Sequence, residues 1–157
     1  ATLHWIIEHE LVLKGVYKSL VKGGRLLFQM AGKGNAQDVL AVIQEMISEE
    51  SCKPYFKNFT FPYGFYGPEE YNKWLQETGF KPERIELVSK NAKFKGKEGL
   101  AGWIRATWLP FTERVPESLR DSFINEIADR YIAAYPLDKK GMVHVKMVRL
   151  EVQATKP

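Results

Sequence analysis

Between Glu8 and Glu49 the chain alternates apolar-faced runs with glycine turns, and this rhythm restricts the possible folds more than any other feature. Leu13, Val16, Tyr17 and Leu20 recur at i, i+3, i+4 and i+7, which gives a helix over about residues 8–21 one apolar face. Lys22-Gly23-Gly24 stops that helix, because glycine accepts the left-handed conformation in which helices end. Arg25 to Met30 then reads as a short, largely buried strand of the parallel-sheet kind. Gly32-Lys33-Gly34 lacks the Gly-Lys-Ser/Thr of a phosphate loop and reads as a connecting turn. Asn35 is a suitable N-cap for a second helix over about 36–49. Helix, turn, buried strand, turn, helix is the pattern of an α/β sandwich.

Beyond this the sequence changes character. Residues 52–67 are crowded with aromatics (Tyr55, Phe56, Phe59, Phe61, Tyr63, Phe65, Tyr66) and broken by Pro54 and Pro62. Pro68 opens a third helix that Gly79 closes. Ile85 to Val88 suits a strand, and Lys90, Lys93, Lys95 and Lys97, beside Asn91 and Gly96, suit a solvated loop. A short helix from Leu100 to Pro110 and a long one from Pro116 follow, the latter with Leu119, Phe123, Ile127 and Tyr131 four apart. Met142 to Val152 alternates like a strand but switches phase between Met147 and Val148, which suggests a bulge or cover on both faces. No repeat or linker interrupts the chain, so one unit over 1–157 is expected.

Composition narrows the classes of function. The net charge of +4 is mild and sits largely in the lysine loop, with no aromatic-interleaved basic stripe, so no nucleic-acid partner is expected. The apolar runs are too short for a bilayer, so no membrane partner is expected either. A single cysteine, Cys52, cannot form an internal disulfide and suits the reducing cytoplasm. His9 and His144 lack metal-ligand spacing, so no metal is expected.

Three stretches resemble class I S-adenosylmethionine-dependent methyltransferases of the trans-aconitate type. Ala1-Thr2-Leu3-His4-Trp5-Ile6 resembles the segment after their fourth sheet strand. Leu20-Val21-Lys22-Gly23-Gly24-Arg25-Leu26-Leu27 is similar to the L-x-P-G-G-x-L that leads into the fifth, with Lys22 departing from the usual proline. Gly102 to Phe111, Ala134-Tyr135-Pro136 and Met147 to Leu150 resemble the family's C-terminal region. The resemblance implies the C-terminal part of a Rossmann-like methyltransferase sheet, its last strand antiparallel. It also implies a helical lid insertion over about residues 97–136. The cofactor would be S-adenosyl-L-methionine, yet the family's acidic, glycine-rich turn after the first strand and the acidic residue that holds the ribose are absent from this chain. By the resemblance they lie upstream of Ala1, and these residues alone are expected not to turn over.

Methyl transfer to a carboxylate needs no general base and no catalytic nucleophile on the protein, because the acceptor is already ionised. What it needs is alignment, worth up to ~7–11 kcal/mol, and donors in a dry enclosure. The resemblance places His4 and Trp5 beside the cofactor's methyl group; a capped strand end with Trp5 in the core is the structural alternative. For a small-molecule acceptor the candidates are Gln29, Tyr63, Tyr66, Trp103, Arg105, Trp108 and Arg149. Each has a structural reading too: a strand hydrogen bond for Gln29, loop packing for the tyrosines, and surface ion pairs for the arginines. A few strands of a larger sheet would also expose an edge through which the chain could homodimerise, as a structural rather than catalytic module.

Overall fold

The computed structural model describes residues 2–157; Ala1, the first residue of the opening motif, lies outside them. In chain order come a 3-10 turn (Leu3–Trp5), α1 (His9–Ser19), β1 (Arg25–Ala31), α2 (Gln37–Ser48), a second 3-10 turn (Lys53–Phe56) and α3 (Pro68–Thr78). Then follow β2 (Lys81–Lys95), α4 (Gly96–Thr107), α5 (Leu109–Thr112), α6 (Glu117–Ala134) and β3 (Met142–Thr155). The chain divides into two compact units, one of Ala1–Asn35, Pro62–Lys90 and Met147–Pro157, the other of Ala36–Phe61 and Asn91–Lys146.

The sheet has the order β1-β3-β2. β1 runs antiparallel to β3, from Arg25 opposite Thr155 to Ala31 opposite Arg149. Glu83 bonds Gln153 and Thr155, and Arg84 bonds Glu151, so β2 also runs against β3. The last strand therefore lies reversed between two parallel ones.

In the first unit, Leu26 and Met30 of β1 share a core with Leu150, Val152 and Ala154 of β3. Leu13 of α1 and Tyr71 and Leu75 of α3 cover them. Burying apolar side chains at about 25 cal/mol per Å² is what holds the two helices on the sheet. Residues of opposite parity, among them Leu27, Gln29, Arg149 and Glu151, face away from this core. Charge keeps that face compatible with water. Gly32 follows β1 where the backbone passes close: a Cβ there would lie 2.8 Å from Leu150 Cβ and 2.7 Å from Leu87 Cδ2.

In the second unit, α2 and α4 pack on α6 through Val39, Ile43, Leu100, Ile104, Ile124 and Ile127, all fully buried. Glu49 pairs with Arg130, tying the end of α2 to α6. Leu119, expected on the apolar face of the long helix, is instead exposed, while Phe123, Ala128 and Tyr131 are buried. Among the described residues no helix is long and apolar enough to cross a membrane.

Three local expectations are corrected. The lysine segment is not a loop: β2 continues to Lys95 and α4 begins at Gly96. As a mostly exposed edge strand it tolerates lysines that would break a buried one. The short helix also begins earlier than expected and ends before Trp108, which sits at the joint between α4 and α5. Asn35 does not cap α2. The cap position is Ala36, at φ 49°, and the buried Asn35 Oδ1 accepts the Val148 N–H at 3.0 Å. The phase switch in β3 appears as Val143 and Val145 buried, then Val148, Leu150 and Val152, with the change at the boundary between the units.

Asn35→Ala leaves a buried backbone N–H without an acceptor. A loss of about 1–3 kcal/mol is expected, read as a lower urea midpoint at unchanged slope.

Candidate functional site

The carboxyl end of β1 is where three segments of the first unit are laced together. Gly32 N–H donates to the Val148 carbonyl at 3.0 Å, continuing the β1–β3 ladder. Lys33 N–H donates to the Tyr66 carbonyl at 2.9 Å, which draws the 62–67 segment across the strand end. Gly64 N–H donates to the His4 carbonyl at 2.8 Å, and the Tyr66 hydroxyl donates to the Ile7 carbonyl at 2.8 Å. The 62–67 segment adopts no helix or strand, as Pro62, Gly64 and Gly67 would dictate.

This lacing brings His4, Trp5 and Tyr63 together. Trp5 and Tyr63 stack at 6.1 Å with 7° between their planes. His4 stands edge-on to Tyr63 at 5.9 Å and tilts against Phe65 at 6.0 Å. Trp5 is 62% exposed, so it is not a core residue. Among the described residues, the buried His4 Nδ1 has no hydrogen-bond partner. Burial lowers the His4 pKa, and proximity to His9 adds to the effect.

Beneath the bracket, His9 is 1% exposed. Its Nε2 lies 2.9 Å from the Ile6 carbonyl and its Nδ1 meets the Tyr71 hydroxyl. Burial lowers the His9 pKa against the partial compensation of nearby carbonyls, and burial raises that of Tyr71. Tyr66 packs edge-on to the His9 ring at 4.7 Å. Gly64 fits where no other residue would: a Cβ would lie 2.7 Å from the Ile6 carbonyl and 3.1 Å from His9 Nε2.

Gln29 and Arg149 meet elsewhere, on the open face of the sheet, in a cavity of about 510 Å³ shared with Arg84 and Glu151. Arg84 and Arg149 both pair with Glu151. Burial pushes that carboxyl up, and the two guanidiniums outweigh it, leaving it below the usual range. Arg149 is thus already charge-compensated, although its Nε is buried without a partner.

The remaining candidates belong to the second unit. Trp103 stacks on Phe94 at 5.0 Å and stands edge-on to the buried Trp108 at 5.7 Å. Arg105 pairs with Asp121 at 2.9 Å with half its side chain exposed. This unit also holds a cavity of about 770 Å³ walled by Ile47, Pro54, Phe56, Phe59 and Phe61. Sequence reasoning saw these aromatics and Phe65 without a role, weighed His9 only as a metal ligand, and passed over Gly64. The Pro- and Gly-punctuated aromatic run was the signal for Gly64 and Phe65. Among the described residues no cluster of His, Cys, Asp or Glu could hold a metal.

A crystal structure of a putative methyltransferase from Bacillus halodurans C-125 matches 99% of this chain and 61% of its own, with a TM-score of 0.56 at 13% identity. No protein-family model matches the chain. It is 26% identical to a trans-aconitate 2-methyltransferase of Sinorhizobium medicae, over 99% of this chain and 61% of that protein. It is 24% identical to the juvenile hormone acid O-methyltransferase of Drosophila melanogaster, over 83% of this chain and 45% of that protein. The chain thus spans about three-fifths, or less, of the length of these relatives. In sequence the chain is thus similar to trans-aconitate 2-methyltransferases, and its fold is similar to that of a methyltransferase structure.

His4 and His9 both have folded pKa values below the ordinary 6.5. Below that value the unfolded chain takes up protons that the folded chain refuses. Stability is therefore fully present above it and declines as pH falls through the lowered folded values. Thermal midpoints should be flat above neutrality and fall between about pH 6.5 and pH 5. A midpoint that rises over that window would contradict the assigned environments.

Proposed function

We propose that the chain forms part of an S-adenosylmethionine-dependent methyltransferase that acts on a small carboxylic acid. In this reading His4 and Trp5 form one edge of the cofactor pocket. The observation that carries it is the Trp5–Tyr63 stack at the carboxyl end of β1, beside a His4 Nδ1 that has no partner among the described residues. Open α/β sheets bind ligands at that end.

The residues fit such a cofactor. Stacked aromatic rings offer negative faces to a sulfonium and flat surfaces to a purine. A His4 kept neutral by burial does not repel a positive ligand, and its free nitrogen can take one more hydrogen bond. S-adenosylmethionine would supply an electrophilic methyl group on sulfur. The acceptor carboxylate, ionised at neutral pH, would attack in line: the C–O bond forms as the C–S bond breaks. The protein's part is to hold the partners and exclude water, which the aromatic bracket suits. That the acceptor is an acid is supported by the names of both relatives, which specify trans-aconitate and juvenile hormone acid.

With the family's glycine-rich cofactor motif absent from these residues, binding by this chain alone is expected to be weak. Titrating S-adenosylhomocysteine into labelled protein should shift the His4, Trp5 and Tyr63 ring signals at about millimolar ligand, and leave Trp103 unmoved. Shifts confined to Trp103 and its neighbours would overturn the assignment of the pocket edge. Micromolar affinity would show that these residues carry a full cofactor site.

A further inference from the structure

We infer that His9 is the positioning residue of the His4–Trp5 bracket, acting through the Ile6 carbonyl. The inference rests on the reading of His4 and Trp5 as a ligand edge.

His9 Nε2 faces the Ile6 carbonyl, which can only accept, so Nε2 carries the ring proton and donates it to Ile6. Nδ1 is then an acceptor, and the Tyr71 hydroxyl of α3 donates to it. The Tyr71 oxygen also lies 3.7 Å from Met30 Sδ of β1. A continuous chain thus runs from the sheet core, through Tyr71 and His9, to the carbonyl of Ile6, the residue after Trp5. His9 opens α1, so the same ring fixes that helix start against the bracket.

The fit is close on every side. Tyr66 and Trp74 cover the ring, and Gly64 leaves no space for a side chain between His9 and Ile6. The charged and titratable neighbours are His4, whose pKa His9 helps to lower, and Glu8, Glu10 and Glu70, which act on the Tyr66 hydroxyl. The partners of His9, the carbonyls of Ile6 and Leu3 and the Tyr71 phenol, are uncharged. A protonated ring would have to donate from both nitrogens, and the Tyr71 hydroxyl would have to turn from donor to acceptor.

The test uses ring-nitrogen NMR on the intact chain. His9 should be the Nε2–H tautomer and stay neutral at about pH 6.5, where a free histidine is half protonated. The Trp5 stack should displace the Tyr63 ring signals, and that displacement is the functional readout. His9→Gln can still donate to Ile6 and accept from Tyr71, and should keep it. His9→Leu can do neither and should lose it, with the shift induced by S-adenosylhomocysteine reduced on the order of fivefold to tenfold. Tyr71→Phe, which keeps the packing, should lose part of it and is the variant to use if His9→Leu does not fold. An Nδ1–H tautomer in the native chain, or a Tyr63 displacement unchanged in both His9→Leu and Tyr71→Phe, would overturn the inference. If the native chain shows no response to S-adenosylhomocysteine, the cofactor reading fails, and the ring displacements still decide the role of His9.

Discussion

Everything in the first unit depends on β3 lying between β1 and β2. A strand in that position uses both edges of its backbone for hydrogen bonds, and its buried parity, Val148, Leu150, Val152 and Ala154, supplies the sheet's side of the core. Because β3 comes last in sequence, β1 and β2 cannot join the same sheet until the chain has returned between them. Such non-local pairing is slow to form. It also means that no stretch before Met142 can be read as a finished sheet.

The site inherits this arrangement. The β1–β3 ladder continues to the Gly32–Val148 hydrogen bond, and the next amide, Lys33, holds Tyr66. Tyr66 and Gly64 in turn hold Ile7 and His4. The aromatic bracket is therefore assembled on the strand end by backbone hydrogen bonds, with side-chain stacking added on top. His9 contributes the inner fastening. On the opposite face Arg84 and Arg149 both pair with Glu151.

Much of the architecture was legible because it is periodic. The helix carrying Leu13 and Val16, the strand from Arg25, the Pro68 start and Gly79 stop of α3, and the long helix after Pro116 all follow from spacing and punctuation. What was not legible depends on partners far away in sequence. Asn35 looks like a helix cap, and only the return of Val148 gives its side chain another use. The lysines of β2 look like a loop, because nothing local reveals that they occupy a sheet edge. His9 offers no motif; its role exists only once Ile6, Tyr71 and Gly64 surround it. The His4–Trp5 pair came from family resemblance and Tyr63 was a separate acceptor-site candidate; nothing local in the sequence shows that the two rings stack.

Amide hydrogen exchange tests the central placement of β3 most directly. With both edges paired, consecutive amides from Val148 to Ala154 should exchange slowly, whereas β1 should be protected only at alternate amides, those that point toward β3. Alternate protection along β3, or continuous protection along β1 in the isolated chain, would mean that the strand order described for the sheet is wrong.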